Sequence, residues 1–266
     1  MTDPIVSPAN PRIKAVVRLR DRAERDATGR FVVEGYRELT RATHAGIRIE
    51  TLLVCPDLYL GGNEPGLADR IRAAGAELLE VSETAFRRAS YRDRPEGLLA
   101  VAERFATDLD RIPLTGTPLL LVAEGIEKPG NLGTMLRTAD AAGATGVIVA
   151  DPTTDPFNPN VVRASLGTLF TVPLAVATSA AVIAHLRASG VRLLAATPAG
   201  AIAHFAADMT GPVALVIGSE QYGLTPVWLD AADQAVVIPM PGSVDSLNAA
   251  MAAGILMFEA VRQRAR

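Results

Sequence analysis

Apolar residues follow two alternating rhythms along the chain, one of helical spacing and one of short unbroken runs. Ile13, Val16, Val17 and Leu19 recur at helical intervals with Arg12, Lys14, Arg18 and Arg20 between them, which predicts a basic amphipathic helix over residues 8–20. A short apolar strand at 31–33, a helix over 34–45 and a strand at 49–54 follow. A Gly- and Pro-rich loop then leads to a helix over 67–74, ended by Gly75, and a strand at 77–81. A strand at 98–102 closes this alternating unit, and the polar stretch up to residue 118, with Pro113, Gly116 and Pro118, predicts a linker.

Beyond the linker the pattern sharpens. Residues 119–123 are all apolar, as in a strand buried on both faces of a parallel sheet. Asn131 is expected to cap a helix that runs to Ala142 and stops at Gly143, before a strand at 146–150. Ser179 and Gly190 bracket another helix, strands recur at 191–196, 213–217 and 235–239, and a long helix from about Ser246 ends the sequence. Strands alternating with helices predict an α/β fold with a parallel sheet covered on both faces.

Composition narrows the setting. With 266 residues, 49% of them hydrophobic, the chain can bury one large or two modest cores. Its apolar runs are too short to span a bilayer and it begins with no leader-like pattern, so no membrane association and a cytoplasmic location are expected. Cys55 is the only cysteine and His44, His185 and His204 stand in no ligand spacing, so neither a disulfide nor a metal is expected. The net charge of −3 argues against indiscriminate nucleic-acid binding, because phosphate affinity comes from Lys and Arg. The first 48 residues, however, hold ten Lys and Arg against six Asp and Glu. That local excess suits a solvated helix or an RNA contact equally.

The common nucleotide-binding motifs fail. The glycines at 125 and 130 have P-loop spacing, but Asn131 and Leu132 stand where Lys and Ser or Thr are needed for phosphate and magnesium. No strand is followed by Gly-x-Gly-x-x-Gly, and no Gly-x-Ser-x-Gly elbow presents a serine nucleophile. What remains is polar residues at strand ends, where open α/β sheets bind ligands. On the helix after the first such strand, Gly133 and Arg137 are four apart and share a face. Alone, that segment is equally a capped helix with a surface arginine.

Three segments in order carry more: Asn131-Leu132-Gly133-Thr134-Met135-Leu136-Arg137, then Gly218-Ser219-Glu220-Gln221-Tyr222-Gly223, then Ile238-Pro239-Met240 followed by Ser246-Leu247-Asn248. Together they resemble the three motifs of the SpoU (TrmH) family of RNA 2′-O-ribose methyltransferases, in the SPOUT superfamily. Arg163-Ala164-Ser165-Leu166-Gly167 is similar to the family's segment between the first two motifs. Asn10-Pro11-Arg12-Ile13-Lys14 and Phe31-Val32-Val33-Glu34-Gly35 resemble the substrate-binding domain of many members. The resemblance implies an L30e-like RNA substrate-binding domain over 1–104, a linker over 105–118 and a methyltransferase domain over 119–266. The latter would be an α/β parallel-sheet domain with a deep trefoil knot, a rare exception among folds, holding the cofactor site and the dimer interface.

The same resemblance implies S-adenosyl-L-methionine as cofactor, held by Thr197, Gly218, Ile238 and Leu247, largely through main chain. It implies Arg137 as the essential residue, with Asn131, Glu220, Ser246 and Asn248 around it. Arg12, Lys14 and Arg163 are expected to contact RNA, Arg163 from the second subunit of a homodimer. A guanidinium keeps its proton far above neutral pH, which favours charge stabilisation or phosphate binding over the general-base role proposed in the family; both stay open. Lys128, Gln221-Tyr222 and Ala249-Ala250 depart from the commoner family pattern, and leave the target undecided. The separate N-terminal domain favours ribosomal RNA, 23S rRNA in particular, over tRNA. A non-catalytic knotted RNA-binding protein acting in ribosome assembly is the alternative from another class.

Overall fold

A computed structural model describes residues 4–265, which form two compact units. The first unit comprises residues up to Phe105 together with Asp155–Thr171. It opens with α1 (Pro11–Arg18) and α2 (Arg22–Thr28), then alternates β1 (Arg30–Glu34), α3 (Tyr36–His44), β2 (Ile49–Val54), α4 (Glu64–Ala73), β3 (Glu77–Glu80), α5 (Glu83–Ala89) and β4 (Leu98–Glu103). The sheet order is β1-β4-β2-β3, antiparallel except for the β2/β3 pair. Ile13 and Val16 of α1 and Phe86 of α5 pack against Val32, Leu53 and Leu99 of the sheet. Asn10 sets the start of α1 by accepting from the Arg12 amide at 2.8 Å, and Pro11 at the first helical position shortens the helix expected over 8–20. α2 and α5 have no counterpart in the sequence-based expectation. α2 buries one side chain, a charged one, so it lacks the apolar periodicity of a surface helix.

The second unit runs from Ala106 to Thr154 and resumes at Val172. In chain order the elements are β5 (Leu119–Glu124), α6 (Pro129–Ala141) and β6 (Gly146–Ala150), then α7 (Pro159–Ser165) within the first unit, then β7 (Leu174–Ala177), α8 (Ser179–Ala188), β8 (Arg192–Ala196), β9 (Ile202–Ala203), β10 (Val213–Ile217), α9 (Pro226–Ala231), β11 (Gln234–Val237) and α10 (Ala249–Arg264). Seven parallel strands lie in the order β7-β6-β5-β10-β8-β11-β9. Apolar strands such as β5 and β10 suit a sheet covered on both sides, as the sequence predicts. On one face, Leu120, Val122, Ile148 and Val216 meet Leu186 of α8 and Trp228 of α9, whose indole donates to Ser179 Oγ at 2.7 Å.

In the first unit α4 begins three residues before the expected start at 67, and in the second unit two helix starts differ from expectation. α6 begins at Pro129 with Lys128 in the cap position, so Asn131 lies inside the first turn. Proline needs no amide partner there, which lets the helix start ahead of the asparagine. α10 begins at Ala249, because Asn248 Oδ1 accepts from the Ala250 and Met251 amides at 3.0 and 3.3 Å.

Asp155–Thr171 departs from a simple cut at the linker. Asp155 accepts from the buried Arg25 guanidinium at 2.7 Å, and the Phe157 ring lies 5.1 Å from that of Phe31. Residues 106–118 belong to the second unit, where Thr107 accepts from the Val176 amide at 2.8 Å and Ile112 is buried.

Candidate active site

The carboxyl ends of β8, β10 and β11 deliver three segments to one cavity of about 460 Å³. Thr197, Gly218, Glu220, Ile238, Ser246 and Leu247 all line it. Thr197 follows β8, where its amide donates to Val236 O and its carbonyl accepts from Gly200, both at 3.0 Å. An added Cβ on Gly200 would stand 2.5 Å from the Val236 carbonyl carbon, so only glycine lets this turn lie on β11. Gly200 is a residue the sequence did not single out.

The loop after β10 folds back in the same way. A Cβ on Gly218 would fall 2.2 Å from the Gly223 carbonyl carbon and 2.4 Å from the Leu224 nitrogen. Gly223 has φ +68° and donates to Ser219 O at 3.0 Å, while Ser219 Oγ accepts from the Tyr222 amide at 3.2 Å. Leaving the loop, Thr225 donates through its amide and hydroxyl to the buried Glu124 at the end of β5, at 3.0 and 2.6 Å. That carboxylate anchor was also missed, because an acidic residue closing an apolar run gives no sign of its partner. Tyr222, 76% exposed, stands among the cavity-lining residues.

Asn131 and Asn248 do not line the cavity but bond to each other, Asn248 Nδ2 donating to Asn131 Oδ1 at 3.1 Å. Asn248 directly follows the lining residues Ser246 and Leu247 and caps α10. Asn131 Nδ2 and Glu220 Oε1 are buried without a hydrogen-bond partner among the described residues. Arg137 lies on α6, exposed, while Gly133 four residues earlier is buried, so the two do not present a common open surface.

The three RNA-contact candidates all fall in the first unit and none lines this cavity. Arg12 is tied to Glu77 by two hydrogen bonds, one of 3.1 Å and one shorter, and this pairing raises its pKa. Lys14 is exposed on α1 and Arg163 exposed on α7. Among the described residues no group of three or more His, Cys, Asp or Glu is placed to hold a metal ion, and no helix is long and apolar enough to cross a membrane.

A cavity of this size falls within the range of about 300–1,000 Å³ typical of small-ligand sites. Its wall combines apolar Ile238 and Leu247 with main chain at strand ends, and Glu220 Oε1 is left in need of a donor. These residues fit an adenosyl cofactor, apolar on its base faces and polar at its edges.

Comparison with known proteins agrees with this geometry. Residues 118–258 match the SpoU rRNA Methylase family, and residues 10–100 match the MRM3-like substrate binding domain. The chain is 36% identical over 257 residues to the 23S rRNA (uridine(2479)-2'-O)-methyltransferase of Streptomyces viridochromogenes, covering 92% of this chain and 87% of that one. An AdoMet-bound rRNA methyltransferase from Sinorhizobium meliloti superposes with a TM-score of 0.90 at 35% identity, over 98% of this chain and 97% of that one. The crystal structure of an RNA 2'-O ribose methyltransferase gives a TM-score of 0.85 at 42% identity, over 99% of this chain and all of the other. On its motifs, its fold and these matches, the chain belongs to the SpoU rRNA methylase family.

Proposed function

We propose that the chain transfers a methyl group from S-adenosyl-L-methionine to a ribose 2′-hydroxyl of RNA, with 23S rRNA as the target. One observation carries this reading. The segments bearing Thr197, Gly218, Ile238 and Leu247 line one cavity, and the residue next to that lining, Asn248, is bonded to the helix that bears Arg137.

When bound, the cofactor supplies an electrophilic methyl on a sulfonium. Thr197, Gly218, Ile238 and Leu247 would hold it, with Glu220 accepting from its polar edge. Arg137, exposed and without an ion pair among the described residues, can meet an RNA phosphate or the negative charge that grows on the 2′-oxygen as its proton passes to water. The electrostatic role asks no proton transfer of the arginine, which favours it over that of base. Asn131 and Asn248 orient one another, and Asn131 Nδ2 remains to bind ribose. Ser246 completes the polar rim. Lys14 and Arg163 provide exposed charge for RNA, and Arg12 a charge shared with Glu77.

A homodimer belongs to the same proposal. Met251, Ile255 and Phe258, at 61, 37 and 49% exposure, recur every three or four residues along one side of α10. An apolar stripe of this kind suits an interface between copies of the chain. The deep trefoil knot implied by the resemblance belongs to the proposal as well.

The test is transfer of labelled methyl to unmodified 23S rRNA, giving a linkage that resists alkaline cleavage. Label on a base, in an alkali-sensitive product, overturns the ribose assignment. Unmodified tRNA offered alongside decides the target.

A further inference from the structure

The first unit holds a second cavity, of about 480 Å³, remote in sequence from the three motifs. The β1–α3 corner contributes Arg37 and Glu38, the loop entering α4 contributes Leu60 and Glu64, and the strap before β4 contributes Arg92 and Glu96. The construction is specific. Arg92 donates to Glu34 O at 2.8 Å and to Glu38 Oε1 at 2.7 Å, and pairs closely with Glu96. It reaches them over Gly35, where an added Cβ would stand 2.4 Å from Arg92 Nη2. Residue 35 has φ +107°, so glycine is needed there for conformation as well as space.

Two polar side-chain atoms of residues in this wall have no hydrogen-bond partner among the described residues. Glu64 is 5% exposed, its Oε1 accepts from the Leu60 and Gly61 amides at 3.1 and 3.0 Å, and its Oε2 is buried with no partner. Arg92 Nε is likewise buried and unpartnered. Leaving a buried polar atom unpaired is costly, so an unpaired acceptor and an unpaired donor on two residues that line one cavity point to a ligand offering both. Gly61 lies against the Glu64 carboxylate, an added Cβ there standing 3.6 Å from Oε2, and its amide donates to Oε1. Charge selects the ligand class. Glu38, Glu64 and Glu96 outnumber Arg92 inside the cavity and repel a phosphate there, whereas Arg37 at the mouth is exposed and Leu60 is 77% exposed.

We infer that this cavity receives an unpaired guanine of the substrate RNA, with Glu64 accepting from the base's N1–H and N2–H edge and Arg92 donating to its carbonyl. Arg37 meets the nucleotide's phosphate and Leu60 covers the base. Guanine presents adjacent donors to a carboxylate, whereas adenine turns the N1 lone pair toward it, so the cavity discriminates between the purines. Single-stranded RNA is read in this way, by unstacked bases inserted edge-first into protein pockets. The inference rests on the RNA reading above.

The test uses the full chain with its S-adenosyl-L-methionine site saturated, and titrates GMP and AMP separately. GMP is expected to bind at least about tenfold more tightly, the value of one well-made hydrogen bond to a charged group. Glu64→Gln keeps Oε1 for the loop amides and turns the other position into a donor. It should abolish the preference for GMP and raise KM for 23S rRNA by about tenfold, with cofactor affinity retained. Arg37→Ala, an exposed change that spares the fold, should weaken GMP several-fold and leave guanosine unaffected. Equal binding of GMP and AMP, or GMP affinity unchanged in either variant, overturns the inference. The nucleotide titration needs no methyl transfer. Failure of the wild type to methylate rRNA therefore sinks the functional proposal alone, and active rRNA methylation with indifferent nucleotide binding sinks this one alone.

Discussion

Asn248 uses both ends of its side-chain amide: Oδ1 caps α10, and Nδ2 donates to Asn131 Oδ1 at 3.1 Å. One residue thus fixes the start of the last helix and joins it to the helix that carries Arg137.

These two tasks can be separated. Serine caps helices about as well as asparagine but is too short to reach Asn131. Asn248→Ser should hold stability within about 0.5 kcal/mol and lower turnover by about tenfold or more, with cofactor affinity retained. Asn248→Ala should also lose about 1 kcal/mol by thermal unfolding. Equal turnover in Asn248→Ser and wild type would remove the asparagine pair from the catalytic proposal.

Gly218→Ala places a methyl group 2.2 Å from the Gly223 carbonyl carbon, so the loop lining the cavity must move. Calorimetric titration should show cofactor binding weakened by about tenfold or more, whereas Gly211→Ala, with open space around its position, should bind normally.

Arg137 is exposed and carries no side-chain hydrogen bond among the described residues, so Arg137→Ala should shift stability by no more than about 0.5 kcal/mol. Turnover should fall by at least about a hundredfold with cofactor binding intact. Arg137→Lys retains charge without the planar fork, and its recovery measures how much of the role is charge alone. Near-normal turnover in Arg137→Ala would refute the assignment.

Arg25 is 1% exposed and donates to Asp155 Oδ2, Leu19 O and Arg20 O at 2.7, 2.9 and 2.8 Å. Arg25→Met should cost about 3–5 kcal/mol, because it strips a buried carboxylate of its main partner. The double variant Arg25→Met with Asp155→Asn should recover part of that loss in denaturant melts.

Burial raises the Glu34 pKa above the ordinary carboxylate value, against the hydrogen bonds from Ser90 and Tyr91. The folded chain then holds a proton that the unfolded chain releases, so this group's contribution to stability is full on the acid side and is lost as pH rises through the raised value. Glu34→Gln removes the titration, and the Ser90 hydroxyl can turn to accept from the amide. As pH falls from neutral toward the ordinary carboxylate range, the wild type should gain melting temperature relative to the variant. Parallel melting curves would contradict the shift.

Five strands of the second unit, β5, β6, β8, β10 and β11, were legible as short, mainly apolar runs of the kind a doubly covered parallel sheet requires, whereas β7 and the two-residue β9 were not. Its motif segments were legible as polar residues at strand ends, and the cavity draws most of them together. Helix starts were less so, because Pro129 and Asn131 compete as signals and the proline prevails by needing no amide partner. What escaped entirely are pairings across long stretches of chain. Glu124 with Thr225, Arg25 with Asp155 and Gly200 against β11 leave no periodic trace, because each depends on which strands become neighbours.

The excursion of Asp155–Thr171 into the first unit bears on how chains of this design can be rearranged. A graft that exchanges the N-terminal portion at residue 105 would bring a stranger's surface to Phe157 and leave Asp155 facing whatever replaces Arg25. The two units are therefore not interchangeable cassettes. New substrate-binding units can be accepted only in company with a matching Asp155–Thr171, so changes in the two segments must occur together.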